Sequence, residues 1–218
     1  MAAWLPATWA AQRADRQDPI DRLIRTLPTR GWHLRADALR LLADIVAETR
    51  PRRVLELGCG SSTVVLARQC AGVGGEARVV SVEESPLFAA RTSRVLRRHD
   101  LHDRVSLVVS PVVRTRIGHW SGFCYEIAEA GIASAMAGSR AELVLIDGPM
   151  SAWTMRGDCR YGTLPLIRRW LADGAIVLVD DANRRQERGI IERWTAERLF
   201  QPVRSYPVGD GLCVGRAL

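Results

Sequence analysis

Apolar positions along this chain change period repeatedly. Residues 36–50, ADALRLLADIVAETR, place Leu39, Leu42, Ile45 and Val46 on one helical face, and Pro51 follows the helix. RVLEL at 53–57 is a short continuous apolar run that ends in LGCGSST. Ser61 or Ser62 there can cap a helix starting near Thr63, which VVLARQC continues. The runs ARVVSVEE (77–84), RVSLVV (104–109), AELVLID (141–147) and AIVLVDD (175–181) predict four further strands. Helices are predicted over 86–98, near 163–172 and near 186–200, the last carrying Ile190, Ile191 and Trp194. The tail predicts two strands, PVRSYPV and LCVGR, around a turn at Asp210–Gly211.

Strands that alternate with helices, and whose apolar runs are nearly unbroken, suit a parallel sheet covered on both faces. The expected fold class is therefore α/β: a Rossmann-like doubly wound sheet, mostly parallel, closed by a C-terminal antiparallel hairpin. Residues 1–35, with Trp4, Trp9 and Trp32, form an N-terminal extension expected to act as a lid or a dimer contact, and 36–218 form the main domain. The irregular stretch 111–140 is expected to be a substrate-loop insertion with a short helix, lying over the C-terminal strand ends where open α/β sheets bind ligands.

Composition narrows the possible functions. No run of about 18 apolar residues exists, so no membrane span is expected, and the first twenty residues lack the basic start and apolar core of a signal peptide. The five cysteines, Cys59, Cys70, Cys124, Cys159 and Cys213, are odd in number and form no CxxC pair. They suggest neither a disulfide framework nor a zinc site, and a cytoplasmic location is expected. The formal charge is +7, and every basic residue is arginine. The absence of lysine excludes a phosphate-loop lysine, a Schiff-base lysine and a lysine general base. The arginines are scattered without aromatic interleaving, which favours a solvated surface over a nucleic-acid face. Arginine without lysine, with abundant alanine, matches the coding bias of a GC-rich genome.

The first chemical constellation is Val54-Leu-Glu-Leu-Gly-Cys-Gly-Ser-Ser-Thr63. Gly58 and Gly60 allow a tight turn after the first strand. Glu56 precedes that turn, and Glu83 ends the next strand, where a ribose diol is held in such folds. The run E-L-G-C-G-S-S resembles motif I of class I S-adenosylmethionine-dependent methyltransferases, and S-V-E-E resembles their second motif. The resemblance covers roughly residues 50–218. It implies that Gly58, Gly60, Ser61 and Ser62 line the cofactor's methionine part. It further implies that Glu56 meets the amino end, Glu83 the ribose hydroxyls and Phe88 the adenine. Ser62 stands where the family has a third glycine. An NAD enzyme would want a glycine at position 63, which is Thr63.

Asp147 closes one strand in L-I-D-G-P, and Asp180 with Asp181 closes the next in L-V-D-D-A-N. Neighbouring strands lie about 4.8 Å apart, so the three carboxylates converge on one edge. Their repulsion calls for a cation or for shifted pKa values, and oxygen-only ligands favour Mg²⁺. The pattern resembles the metal site of catechol-type and macrolide-sugar O-methyltransferases, with Asn183 as a nearby support. The alternative is that Asp147 contacts only cofactor or substrate while Asp180 and Asp181 cap the following helix. Catechol methyltransferases carry a basic residue three positions after the first metal aspartate; here that position is Met150. The base is then His119, preferred because it lies in the insertion, or His33, or Asp147 itself.

Trp120, Tyr125, Trp153 and Tyr161, with Phe123, fall in loops expected over the strand ends and suit a flat small-molecule acceptor; lid or dimer packing is the alternative. Arg156 and Arg160 either bind an acceptor carboxylate or pair with Asp158. The reaction implied is methyl transfer to an acceptor oxygen, of the kind found in bacterial secondary metabolism and antibiotic biosynthesis. Three rivals remain open: a metal-independent small-molecule N-methyltransferase, a nucleic-acid methyltransferase and a non-catalytic binding module.

Overall fold

The structure, a computed structural model, describes residues 18–73, 76–126, 129–150 and 158–218. Trp4, Trp9, Trp153 and Arg156 lie outside the described residues.

Two helices open the described chain, α1 (Pro19–Thr26) and α2 (Ala36–Thr49). Asp18 caps α1 in a capping box with Asp21, and Pro19 supplies a first-turn φ that suits a helix start. Arg40 of α2 then ties the two helices together: it lies 2.7 Å from Asp18, 3.0 Å from Asp21 and 2.9 Å from Asp44. Ile20, Leu23, Ile24, Leu27 and Leu34 join the same core as α2, so this part of the extension is packed into the domain. Each such fully buried side chain contributes roughly 1.5–3 kcal/mol.

Next come β1 (Arg53–Leu57), α3 (Ser61–Val73), β2 (Arg78–Glu83), α4 (Pro86–Arg98) and β3 (Val105–Val109). A two-stranded hairpin follows, β4 (Val112–Ile117) and β5 (Trp120–Tyr125), then α5 (Glu129–Met136). The chain closes with β6 (Ala141–Ile146), α6 (Thr163–Ile167), β7 (Leu171–Val179), α7 (Arg185–Ala196), β8 (Phe200–Tyr206) and β9 (Leu212–Ala217).

One seven-stranded sheet runs in the order β3-β2-β1-β6-β7-β9-β8. The first five of these strands pair in parallel. β9 is antiparallel to both β7 and β8 and inserts between them. The α/β sheet with a terminal hairpin thus matches the sequence expectation. Strand order reverses between β1 and β6, the switch point at whose C-terminal crevice ligands bind. Val54 belongs to the core under α1–α3 and Leu55 to the core under α5–α7, so β1 is buried on both faces.

Two segments differ from the sequence expectation. The stretch 111–140 contains a β-hairpin as well as the short helix. Ile117 pairs with Trp120 across the two-residue turn Gly118–His119, with Gly118 at φ +55°; such turns require positive φ, which glycine adopts without strain. The helix expected near 163–172 stops at Ile167, and a short 3₁₀ turn leads into β7 at Leu171. β7 therefore starts earlier than its apolar run suggests. Its pairing with β6 is irregular between Ala141 and Leu143, near the positive-φ Gly174.

Candidate functional site

The hydrogen-bond ladder continues past the strand ends and fixes the loops of the crevice. Asp147 and Gly148 both donate from their backbone to Leu57 O, at 2.9 and 2.7 Å. Gly58 N donates to Val82 O at 2.8 Å, and Asp180 N to Ile146 O at 3.0 Å. Gly58 has φ +95°, and a Cβ there would sit 3.0 Å from Gly148 N. A glycine is thus required by the packing of the β1 loop on the β6 loop as well as by the backbone. A Cβ on Gly148 would in turn collide with the Tyr125 hydroxyl.

Glu56 points from β1 toward α3 and is fully buried. Its Oε2 accepts from Thr63 Oγ1 and Ser81 Oγ, both at 2.6 Å. Oε1 has no hydrogen-bond partner. Burial pushes the carboxyl up to about 7, partly offset by the hydroxyls of Ser62, Ser81 and Thr63. A buried carboxylate oxygen without a donor fits a ligand ammonium. Glu83, also buried, accepts from Cys59 N at 2.9 Å and Ser85 N at 2.8 Å, so it clamps the glycine loop to the end of β2. Around it a cavity of about 320 Å³ is lined by Trp32, Cys59, Glu83, Phe88, Tyr125 and Met150, among others. The acidic wall and the half-buried Phe88 ring fit a nucleoside's diol and base.

Ser61 and Ser62 fall inside the first turn of α3 and do not cap it. Ser61 Oγ donates to Pro28 O at 2.5 Å and lies 3.4 Å from His33 Nδ1. Ser61 therefore anchors the segment 28–33 against the start of α3.

Asp147, Asp180 and Asp181 come together as expected: one carboxylate oxygen from each lies within 4.8 Å of the others. Asp181 takes φ +61°, a left-handed conformation that aspartate tolerates better than most residues. That turn lets adjacent carboxylates face one cavity. Asn183 packs against Gly211 beside this turn. Burial, reinforced by the neighbouring Asp181 charge and opposed by Arg160, pushes Asp147 up to about 7. Burial and the charges of Asp147 and Asp181 push Asp180 well up. Oxygen donors so close, and so reluctant to ionise together, fit a divalent cation such as Mg²⁺.

Sequence reasoning gave Arg160 no part in this cluster. Its buried guanidinium lies 3.0 Å from Asp181, 3.4 Å from Asp147 and 3.7 Å from Glu187, and it donates to the carbonyls of Asp147 and Asp180. Arg184 adds a contact of 2.8 Å to Asp181 and one of 2.7 Å to Asp210. A lone arginine in a loop carries no sequence signal for such a role; only the fold brings it under the strand ends.

A second cavity, of about 290 Å³, opens on these carboxylates and is roofed by residues 29–35. His33 and Met150 line it, and it meets the first cavity at Trp32 and Met150. The expected roles of other residues need correction. His119 sits exposed in the hairpin turn and lines neither cavity. Trp120 is buried against Tyr161, ring centroids 5.1 Å apart, and donates to Asp158 at 2.8 Å. The Tyr161 hydroxyl donates to Glu197 at 2.5 Å, and Arg193 covers its ring. Trp120 and Tyr161 thus pack the turn end of the hairpin onto α7 and line neither cavity. Of the four expected acceptor aromatics that are described, Trp120, Phe123, Tyr125 and Tyr161, Tyr125 alone lines one of the two cavities.

Comparison with known proteins agrees with this geometry. Residues 55–182, more than half of the chain, match the family model described as a methyltransferase domain. The chain belongs to this family, and with its motifs is a class I S-adenosylmethionine-type methyltransferase. Among curated proteins, catechol O-methyltransferase B of Danio rerio is 32% identical over 102 residues, covering 45% of this chain and 38% of that protein. The catechol O-methyltransferase of Mycobacterium tuberculosis is 38% identical over 78 residues, 35% of this chain and 34% of that protein. The matched stretch thus spans little more than a third of these relatives. Among solved structures, the SAH-bound methyltransferase PaMTH1 of Podospora anserina has a TM-score of 0.68 at 15% identity, covering 97% of this chain and 93% of that one. The O-methyltransferase TomG of Streptomyces achromogenes, involved in tomaymycin synthesis, has a TM-score of 0.61 at 15% identity, covering 97% and 95%. At such identities these likenesses speak for the fold. Among the described residues no helix is long and apolar enough to cross a membrane.

Proposed function

We propose that this chain is an S-adenosylmethionine-dependent O-methyltransferase of a small molecule, with Asp147, Asp180 and Asp181 holding Mg²⁺ and, through it, the acceptor. The observation that carries this reading is the carboxylate cluster facing a cavity that adjoins the Glu83 cavity at Trp32 and Met150. When bound, S-adenosylmethionine supplies a methyl group on a sulfonium sulfur, and the metal lowers the pKa of a coordinated hydroxyl. The chain's own residues hold and align the reactants. Glu56 offers Oε1 to the cofactor's ammonium, and Glu83 offers its remaining lone pairs to the ribose.

His33 is the proton acceptor in this reading. Ser61 gives its hydroxyl proton to Pro28 O, so Ser61 Oγ is an acceptor toward His33 Nδ1–H. That tautomer leaves Nε2 with its lone pair. Burial lowers the His33 pKa, which keeps the ring neutral at physiological pH. Residues 28–35 serve as the lid. The free state of all five cysteines supports a reducing, cytoplasmic setting, and a small acceptor methylated on oxygen suits bacterial secondary metabolism.

The contacts of Arg160 favour a second reading, in which guanidinium replaces metal and the acceptor is an amine. Calorimetry separates the two. Protein saturated with S-adenosylhomocysteine is titrated with Mg²⁺, with and without catechol. Stoichiometric Mg²⁺ binding that Asp181→Ala abolishes supports the first reading; no Mg²⁺ binding even with catechol present sinks it. Failure to bind S-adenosylhomocysteine would sink both.

A further inference from the structure

Resting on the metal-assisted reading, we propose that the acceptor is a single-ring dihydroxy acid whose carboxylate is received by Arg30 and Arg35, which line the same cavity as the aspartates. Four arginines line this cavity, Arg30, Arg35, Arg160 and Arg184, against four aspartates, Asp147, Asp180, Asp181 and Asp210. The lining is thus balanced before any cofactor arrives. A divalent metal and a sulfonium bring three positive charges to this lining. A neutral diol that loses one proton returns only one negative charge. An acceptor that also carries a carboxylate comes closer to neutrality and gives the two arginines a counter-charge.

The arginines are not equivalent. Arg160 and Arg184 are engaged with the aspartates of the cluster and its rim. Arg30 and Arg35 have no ion pair among the described residues; the charge of Arg35 is felt only at longer range, by Asp210. Both come from the segment 29–35, which lines the same cavity as the metal-binding carboxylates. A guanidinium presents a planar fork that matches a carboxylate. Size points the same way. About 290 Å³ lies at the small end of ligand pockets, which suits one ring with short substituents and not a large conjugate.

The test measures binding of 3,4-dihydroxybenzoate and of its neutral isostere 3,4-dihydroxybenzamide. The full chain is used, saturated with S-adenosylhomocysteine and Mg²⁺. The acid is expected to bind about tenfold tighter than the amide, as a charge-assisted contact implies. In the double variant Arg30→Gln/Arg35→Gln that preference falls to about unity. Because both arginines are exposed, raising the salt also shrinks it. Equal binding of acid and amide, or a preference that survives the double variant, overturns the proposal. If the amide still binds in a Mg²⁺-dependent way, the methyltransferase reading stands while the carboxylate subsite falls. If neither compound binds, with or without Mg²⁺, the diol reading fails and the subsite falls with it.

Discussion

The guanidinium of Arg160 lies 3.0 Å from the carboxylate of Asp181, with Arg160 95% and Asp181 91% removed from solvent at the side chain. The same group also reaches Asp147 and Glu187. Removing it leaves several acids packed together without a buried countercharge. Arg160→Met is therefore expected to lower stability by about 3 kcal/mol, measured by urea unfolding. Excess Mg²⁺ is expected to restore part of the loss in the variant, because a divalent ion neutralises the same carboxylates. Unfolding curves that coincide with those of the unaltered chain would show that the acids relax without Arg160.

Glu56 gives a pH signature. Its carboxyl is raised from the ordinary 4.5 to about 7, mainly by burial. The folded state therefore holds a proton that the unfolded state releases between these values. The contribution to stability is fully present below 4.5 and is lost as pH rises through 7, an effect of about 3 kcal/mol. Glu56→Gln is expected to flatten this part of the curve, read as urea midpoints from about pH 5 to about pH 8. Affinity for S-adenosylhomocysteine moves oppositely: it weakens as pH falls below 7, because the protonated carboxyl no longer attracts an ammonium.

The sheet and the aspartate cluster were legible because both depend on local pattern. Unbroken apolar runs mark β1, β2, β6 and β7, and carboxylates at the ends of β6 and β7 meet wherever those strands pair. The β4–β5 hairpin also left a signal, β-rich runs on either side of Gly118–His119. The irregular look of 111–140 hid it. What sequence could not supply was tertiary placement. Arg160 reaches Asp181 across 21 positions of chain and Trp120 packs on Tyr161 across 41. His33 reaches the cavity only because Arg40 and Ser61 hold α1 and the 28–33 segment against the domain.

The two histidines divide the proposed chemistry sharply. His33 lines the carboxylate cavity and is kept neutral by burial, whereas His119 is exposed at the hairpin turn. His33→Ala is expected to reduce the turnover of 3,4-dihydroxybenzoate by about 10²-fold, the lower range for loss of a general base. His119→Ala is expected to leave turnover within twofold, roughly the scatter of surface substitutions. Methyl transfer from labelled S-adenosylmethionine reads both. The reverse ranking would return the base to the hairpin.

Glycine-to-alanine changes are expected to act with opposite signs at two places. Gly189 lies within α7, exposed, with nothing within 4 Å of an added Cβ. Alanine there restricts the unfolded chain and suits a helix, so Gly189→Ala should stabilise by roughly 0.5–1 kcal/mol. Gly58 has φ +95°, and an added Cβ would stand 3.0 Å from Gly148 N and 3.3 Å from Asp147 C. Those neighbours are backbone, held to Leu57 O by two hydrogen bonds, so they yield little. Gly58→Ala should destabilise by about 2 kcal/mol through backbone strain alone. It also pushes on the segment that carries Asp147, so Mg²⁺ affinity should fall together with affinity for S-adenosylhomocysteine. Thermal unfolding and calorimetry on the two variants check both halves. A Gly58→Ala protein that loses stability but keeps both affinities would mean that the glycine serves loop packing alone, and that Asp147 is positioned independently of the turn after β1.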